Sequence, residues 1–481
     1  MIDLCNFLHE ISRRILVYDG SKGYMLQKYG LKGGECPELW NVTHSNAVKE
    51  IYRLYKEAGS DVIQTNTFPG NRVQLEKHGL SDKTYELNYQ GARLAREIMG
   101  RDGIVAGAVG PTGILFEPSG NLTFKAAYMI YKEQIKALVD GGVDLINFET
   151  FSDIAEMRAA LLAGKETTDI PIVCSVSFEQ NGRTLMGTDP QTAVITLKSL
   201  GADMVGTNCS FGPELMVDIV KKMYFSGGGY LSVKPNAGLP EIVDGIPVYR
   251  ESAEEFATLA NRFVKYGARL IGGCCGTTPE FIKAIKKQIG NFEVTDNKMT
   301  GNTSYDTCSM IITSGVGMFD VSGVKSERIG KLIPENDEKI LNQLRDMNLE
   351  FVTDMVFDLA SEDYDIIYVN VDNAISYKDS NINAINAAKN VKDSGLLAEV
   401  INIAQGFAKQ PFIIETYYPE ALESALRIYR GRAGVIIRKG AESTNDRLIN
   451  RLVNVANKYA ALVIKSWDFT DYGYFINNNK K

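Results

Sequence analysis

Apolar and polar residues alternate along the first 285 residues in one repeated order. A short β-type run ends in Gly, Asn, Asp, Glu or Cys, and a stretch with apolar positions three and four apart follows. The runs lie at 14–20 (RILVYDG), 61–68 (DVIQTNTF), 104–110 (IVAGAVG), 143–150 (VDLINFET), 170–178 (IPIVCSVSF), 202–209 (ADMVGTNC), 230–236 (YLSVKPN) and 268–275 (ARLIGGCC). Strands that alternate with helices predict parallel βαβ units. Eight such units in about 250 residues is the size of a closed (β/α)8 TIM barrel. An open doubly wound sheet is the competing architecture, but it usually has fewer strands. Segment 45–58 sets Val48, Ile51, Tyr52 and Tyr55 on one helical face and stops at Gly59. Segment 153–164 opens with Asp153 and Glu156 at capping-box spacing.

Residues 291–308 (NFEVTDNKMTGNTSYDTC) interrupt this rhythm. They are polar, have no period and read as a linker. From 309 to 481 a second α/β segment follows. Its strand candidates are 365–371, 411–416, 433–437 and 460–464, and its helix candidates are 383–408, 419–430 and 445–459. Four or five βα units are too few for an eight-fold barrel. The pattern therefore predicts a barrel over 1–290, a linker over 291–308 and an incomplete, partial barrel-like α/β domain over 309–481.

Composition narrows the function. An apolar fraction of 44% in 481 residues can fill sizeable cores. No apolar run reaches membrane-spanning length, and the first 20 residues lack a basic start followed by an apolar run. A cytoplasmic chain without membrane contact is expected. The net charge is −7, with 52 basic against 59 acidic residues and no basic cluster, which argues against nucleic acid as a partner. The seven cysteines then read as reduced thiols rather than a disulfide framework. The three histidines, His9, His44 and His78, are too few for a multi-His metal site and weigh against Ser–His or Cys–His catalysis.

In a barrel the reacting groups sit where the strands end. Those ends carry Asp19, Asn66, Gly110, Glu149, Phe178, Cys209, Asn236 and the pair Cys274–Cys275. Three cysteines thus converge on one rim from the sixth and eighth strands. Three thiolates with one open position suit a catalytic zinc ion. A substrate thiol entering that position would lose its proton, giving a sulfur nucleophile at neutral pH without a histidine base. The bland alternative is that Cys209 and Cys274 are small buried hydrophobes. An adjacent pair flanked by glycines at a strand end weighs against it. Cys5, Cys36, Cys174 and Cys308 fit no such pattern and belong to core or surface. Asp19 and Glu149 either bind an ammonium group at the mouth or cap the helices that follow, and spacing leaves both open. Neither a GxGxxG nor a Walker pattern is present.

The segments DGSKGYMLQ (19–27), CPELWNVTH (36–44), TNTFPGNR (65–72), VGPTG (109–113), NFETFSD (147–153), GTNCSFGP (206–213), VKPNAGLP (233–240) and IGGCCGTTPE (271–280) resemble the homocysteine S-methyltransferase family. The resemblance covers residues 1 to about 290. It implies a TIM barrel in which Cys209, Cys274 and Cys275 bind Zn2+ and the zinc binds the homocysteine thiolate. It further implies that Asp19 and Glu149 hold the homocysteine amino group, with backbone around Gly20, Thr67 and Phe68 near the amino acid. The family opening is closer to DGAMGT, whereas DGSKGY here puts Lys22 and Tyr24 in that loop.

The second segment resembles, through SERIGKLIPE (326–335), IIYVNVD (366–372), IIETYYPEALESAL (413–426) and KYAALVI (458–464), the pterin-binding barrel of cobalamin-dependent methionine synthases. It departs at Tyr368, at Glu415-Thr416 and at Ile437, Arg438 and Lys439, where that family carries groups that hydrogen-bond a pterin. A truncated, degenerate relic without folate binding is expected. The whole chain reads as a homocysteine methyltransferase that forms methionine. Its donor would be a methylated corrinoid on a separate protein or a methyltetrahydrofolate-linked system. A free sulfonium or methylated-amine donor, a non-catalytic zinc-thiolate subunit and a zinc hydrolase are the alternatives.

Overall fold

The computed structural model describes residues 4–117, 119–239, 241–243, 246–290, 310–375, 391–437 and 446–464. The chain divides into two compact units, one of 1–114, 122–186 and 202–302, the other of 115–121, 187–201 and 303–481.

The first unit holds the eight expected strands: β1 (Leu16–Val17), β2 (Val62–Gln64), β3 (Ile104–Val109), β4 (Leu145–Phe151), β5 (Ile172–Val176), β6 (Met204–Asn208), β7 (Leu231–Lys234) and β8 (Ala268–Ile271). Neighbours pair in parallel, β8 lies between β1 and β7, and a Tyr18–Val62 bridge joins the first strand to the second. The sheet is therefore a closed parallel (β/α)8 barrel. Most strands are shorter than the apolar runs that predict them. The chain leaves the ladder early, so Asp19, Cys209, Cys274 and Cys275 sit in rim loops just beyond the strands.

Inward positions fill the lower barrel with Leu16, Tyr18, Val62, Ile104, Ala106, Leu145, Val173, Met204 and Leu270. Phe7 and Ile11, four apart on the helix Leu4–Arg13, join that cluster and are fully buried. This helix was not among the expected elements. Its two apolar side chains stopper the bottom, each contributing roughly 1.5–3 kcal/mol. Higher up, inward positions turn polar at Gln64, Asn147, Glu149, Ser232 and Lys234, all buried.

Helix Ser45–Glu57 buries Val48, Ile51, Tyr52 and Tyr55, as its periodicity predicts. Helix Ile154–Lys165 corrects one expectation. Asp153 caps it by accepting the Ala155 N–H at 2.8 Å. Glu156, expected to reach back and complete a capping box, turns inward instead. It accepts from the Thr112 N–H at 2.7 Å, the Thr112 hydroxyl at 2.6 Å and Tyr131 at 2.7 Å. The helix is buried on nearly every face, so its carboxylate takes interior donors. An antiparallel hairpin of 241–243 and 246–248 follows β7 and was likewise unexpected.

The second unit contains a five-stranded parallel sheet in chain order: β9 (Ile329–Lys331), β10 (Ile366–Val369), β11 (Phe412–Glu415), β12 (Gly434–Ile436) and β13 (Leu462–Ile464). The last four match the expected strands, while β9 and the helices Glu338–Arg345 and Glu350–Ser361 were not foreseen. Helices Val391–Phe407, Pro419–Ile428 and Asp446–Lys458 fall within the expected ranges. The core gathers Ile312, Val321, Ile366, Tyr368, Ile413, Ile436, Leu462 and Ile464. The linker 291–308, with Cys308, and the strand-end residues Arg438 and Lys439 lie outside the described residues. No helix among the described residues is long and apolar enough to cross a membrane.

Candidate functional site

Cys209 follows β6 and the Cys274–Cys275 pair follows β8, two strands that are not neighbours. The strand between them, β7, stitches both loops in place. The Lys234 carbonyl accepts the Cys209 N–H at 3.1 Å, and the Pro235 carbonyl accepts the Cys274 N–H at 2.7 Å. The Asn236 side-chain oxygen accepts the Cys275 N–H at 3.1 Å. The three sulfurs consequently lie within 4.8 Å of one another. The Cys209–Cys275 separation is 3.4 Å. Thiolates bound tetrahedrally at about 2.3 Å from zinc stand about 3.8 Å apart, so this donor set fits the ion with little adjustment. Among the described residues this is the one group of at least three potential ligands close enough to share a metal ion.

Backbone strain marks the same rim. Cys209 has φ +56°, and Thr150, next to Glu149, has φ +64°. Non-glycine residues adopt this region only when their surroundings hold them there. Asn208 supplies the hold. Its oxygen accepts the Thr150 N–H at 2.8 Å, and its amide nitrogen donates to the Thr150 hydroxyl at 2.8 Å and lies 3.7 Å from the Cys274 sulfur. Tyr249 hydrogen-bonds Cys275. Gly276, at φ +78°, makes room for it, since a Cβ there would come within 2.3 Å of the Tyr249 ring. Hydrogen bonds from Cys209 and Cys274 pull the Cys275 thiol down to about 3, while Cys274 and Cys275 push Cys209 up. A cation is what would allow all three to ionise together.

Asp19 is fully buried at the end of β1. Its Oδ2 accepts the Gln64 N–H at 3.0 Å and the Lys22 ammonium at 2.9 Å, while Oδ1 has no hydrogen-bond partner. Burial raises its pKa, against the opposing pull of Lys22. Glu149 meets a second lysine. Its Oε2 accepts from Lys234, from the Gln64 amide at 2.9 Å and from Asn147 at 3.2 Å. The Lys234 ammonium also reaches the Gln64 oxygen at 2.5 Å and lies 5.0 Å from the Tyr18 ring centroid. Neither acid is a helix cap. Each is one half of a buried ion pair at the barrel mouth.

Gly20 fits its place tightly, since a Cβ would come within 2.7 Å of the Thr277 hydroxyl. Thr67 is buried and donates to the Ala108 carbonyl at 2.8 Å, while its own carbonyl accepts from Gln134 at 2.8 Å. The Phe68 carbonyl accepts the Gly110 N–H at 2.8 Å. Thr67 and Phe68 thus brace the β2 end against β3. Cys36 and Cys174 are buried and Cys5 is exposed, all apart from the thiol group. Gln64, Lys234, Asn208 and Tyr249 were missed as site residues. For the first two a signal existed, because Gln64 and Lys234 are polar residues at inward-alternating positions of buried strands.

In the second unit the strand ends make a cavity of about 110 Å3 lined by Ile333, Pro334, Glu335, Leu341, Tyr368, Asn370, Asn373 and Glu415. Its polar groups already serve one another. Tyr368 donates to Glu415 at 3.0 Å, Asn370 donates to Tyr368 at 3.2 Å, and the Asn370 oxygen accepts the Asp372 N–H at 2.8 Å.

Comparison with known proteins bears on the first unit. Residues 16–289 match the family model described as homocysteine S-methyltransferase. Methionine synthase of Mycobacterium tuberculosis is 32% identical over 308 residues, covering 60% of this chain and 26% of that protein. Methionine synthase of Mycobacterium leprae is 31% identical over 300 residues, covering 58% and 25%. The chain thus spans about a quarter of the length of these relatives. The metallated form of the Escherichia coli homocysteine methyltransferase MmuM shares the fold, with a TM-score of 0.50 at 22% identity over 59% of this chain and 98% of that one. With the matching model covering more than half of its length, the chain belongs to the homocysteine S-methyltransferase family, a family of methyltransferase enzymes.

Proposed function

We propose that this protein transfers a methyl group to the sulfur of homocysteine, giving methionine. The observation that carries the reading is the thiol triad of Cys209, Cys274 and Cys275, whose spacing suits a zinc ion. Bound there, zinc would supply Lewis acidity that keeps an incoming thiol ionised at neutral pH. The chain's own residues do the rest. Asp19 presents Oδ1, and with Glu149 it receives the substrate ammonium. Asn208 and the β7 end fix the thiol geometry, and Tyr249 steadies Cys275. The acceptor sulfur attacks the methyl carbon, a sulfur–carbon bond forms as the donor–methyl bond breaks, and the bonding pair leaves with the donor.

The donor is a methylated corrinoid carried by a separate protein, itself fed by a methyltetrahydrofolate-linked system. The relatives named methionine synthase support methionine as the product. The second unit is a reduced pterin-binding-like domain that takes no folate, because Tyr368, Asn370 and Glu415 bond to one another. The test is a donor screen with homocysteine as acceptor and methionine as readout. Methyl transfer from methylcobalamin-loaded corrinoid protein supports the reading. Transfer only from a sulfonium or a methylated amine replaces the donor, and no transfer from any donor despite bound zinc points to a non-catalytic zinc-thiolate subunit.

A further inference from the structure

The Asp19–Lys22 pair is unlike an ordinary buried ion pair in one respect: it is left half-satisfied. Lys22 occupies one carboxylate oxygen, Oδ2, at 2.9 Å, together with the Gln64 N–H. The other oxygen, Oδ1, is buried and accepts no hydrogen bond. An unpaired buried carboxylate oxygen costs about 1–3 kcal/mol, so it marks a place where a donor is meant to arrive. The Lys22 side chain is 12% exposed, and its nearest other acceptor is the Gly20 carbonyl at 3.5 Å. A cation and an unpaired anionic oxygen therefore stand side by side at the mouth.

The loop that carries them is fixed to the thiol loop. The Ser21 N–H donates to the Thr277 carbonyl at 3.1 Å, and the Thr277 hydroxyl donates to the Cys274 carbonyl at 2.7 Å. The Tyr55 hydroxyl spans both loops at 3.0 Å from the Ser21 and Thr277 carbonyls. The Tyr24 ring meets Tyr249 edge-on at 6.2 Å. Lys22 is thus held in register with the sulfur site.

We infer that Lys22 is the carboxylate-binding residue of the acceptor site, and that the Asp19–Lys22 pair recognises an α-amino acid as a zwitterion. The inference rests on the acceptor reading above and deepens it. An ammonium placed at Asp19 Oδ1 sits beside the Lys22 ammonium, and like charges at that range repel. A carboxylate on the neighbouring carbon reverses the sign, because it falls next to Lys22. The four charges then alternate, so a zwitterion binds well and a simple amine poorly. Lys22 need not be displaced, since it leaves Oδ1 unpaired. The acceptor class is a thiol-bearing free amino acid, and acceptors with a blocked or missing carboxylate are excluded.

The test measures binding by calorimetry to the zinc-loaded full chain, using homocysteine and 3-mercaptopropylamine, its analogue without the carboxylate. Wild type should prefer homocysteine by about ten- to hundredfold, the size of one charge-assisted hydrogen bond. Lys22→Met should erase that preference by weakening homocysteine, while 3-mercaptopropylamine binds at least as well as it does to the wild type. Lys22→Arg should keep it. Equal weakening of both ligands in Lys22→Met would mean that Lys22 merely keeps Asp19 ionised, and tighter homocysteine binding would mean that it plugs the site. Either result overturns the inference alone. Failure of wild type to bind homocysteine at all overturns the acceptor reading and the inference with it.

Discussion

The barrel and the five-stranded sheet of the second unit follow the same plan, parallel strands joined by helices with polar residues at the strand ends. They differ in what those ends leave open. At the barrel mouth three thiols converge within 4.8 Å of one another, and Asp19 keeps a buried oxygen unpaired. At the ends of β10 and β11, Tyr368, Asn370 and Glu415 close on each other. Unmet chemical demand separates a site built for a ligand from one that has satisfied itself, and the backbone plan alone does not reveal it.

The largest expected effect comes from breaking the barrel's inner ion pair. Lys234 is 1% exposed, and Glu149 is its charge partner. Glu149→Gln should destabilise the protein by about 3–5 kcal/mol, because it leaves a buried ammonium without a counter-charge. It should also weaken homocysteine by about tenfold or more. Denaturant unfolding and calorimetry on the same sample check both. Unchanged stability would mean that Lys234 finds another partner.

Removing one thiol comes next. Cys274→Ala should weaken zinc by at least about a hundredfold, beyond what is typical of groups one step removed from a metal. Cys174→Ala, which alters a fully buried thiol on β5 outside the triad, should leave zinc content unchanged. Metal analysis after dialysis against a competing chelator reads the difference.

Buried acids sharpen the comparison through pH. Glu38 lies beside the β2 end, where Asn66 donates to the Pro37 carbonyl at 2.8 Å. Burial pushes its carboxyl up to about 7. A carboxyl that holds its proton more tightly folded than unfolded favours the folded state at low pH, and that advantage is lost as pH rises from about 4.5 through 7. Stability should therefore fall by roughly 3 kcal/mol between pH 5 and 8, and Glu38→Gln should flatten the slope. In the second unit burial pushes Asp372 up to about 6, with opposing hydrogen bonds from Thr416 and the Tyr417 N–H. Asp372→Asn should flatten the profile in the same direction by less. Parallel melting curves across pH for both variants check this.

The smallest effect is expected at the second sheet. Asn370→Ala should leave zinc and homocysteine affinity within about twofold, since Asn370 belongs to the other compact unit and, among the described residues, shares no hydrogen-bond partner with the thiol site. Methyltetrahydrofolate should not bind the wild type measurably. Micromolar folate binding that Asn370→Ala abolishes would show an open site where the self-bonded groups argue for a closed one.

Much of this was legible in the sequence. Eight apolar runs give eight strands because parallel strands buried on both faces need continuous apolar residues. The cysteines were legible because GTNC and GGCC end two of those runs. The acids Asp19 and Glu149 were also legible, as was Lys22 in the loop after Asp19, but Lys234 as the partner of Glu149 was not. Pairing across a barrel joins residues 85 positions apart, as with Glu149 and Lys234, and no local period records it. The helix Leu4–Arg13 escaped notice because its burial depends on the open end of a barrel not yet built. Glu156 defeated a local rule because Thr112 and Tyr131, distant in sequence, compete for its carboxylate.

The central claim is that Cys209, Cys274 and Cys275 hold zinc and leave one position for the acceptor thiol. Zinc X-ray absorption on the full chain, with and without homocysteine, tests it most directly. The account predicts three sulfur neighbours at about 2.3 Å, becoming four when homocysteine is added. Fewer than three sulfurs in the resting protein, or a sulfur count that homocysteine leaves unchanged, would contradict it.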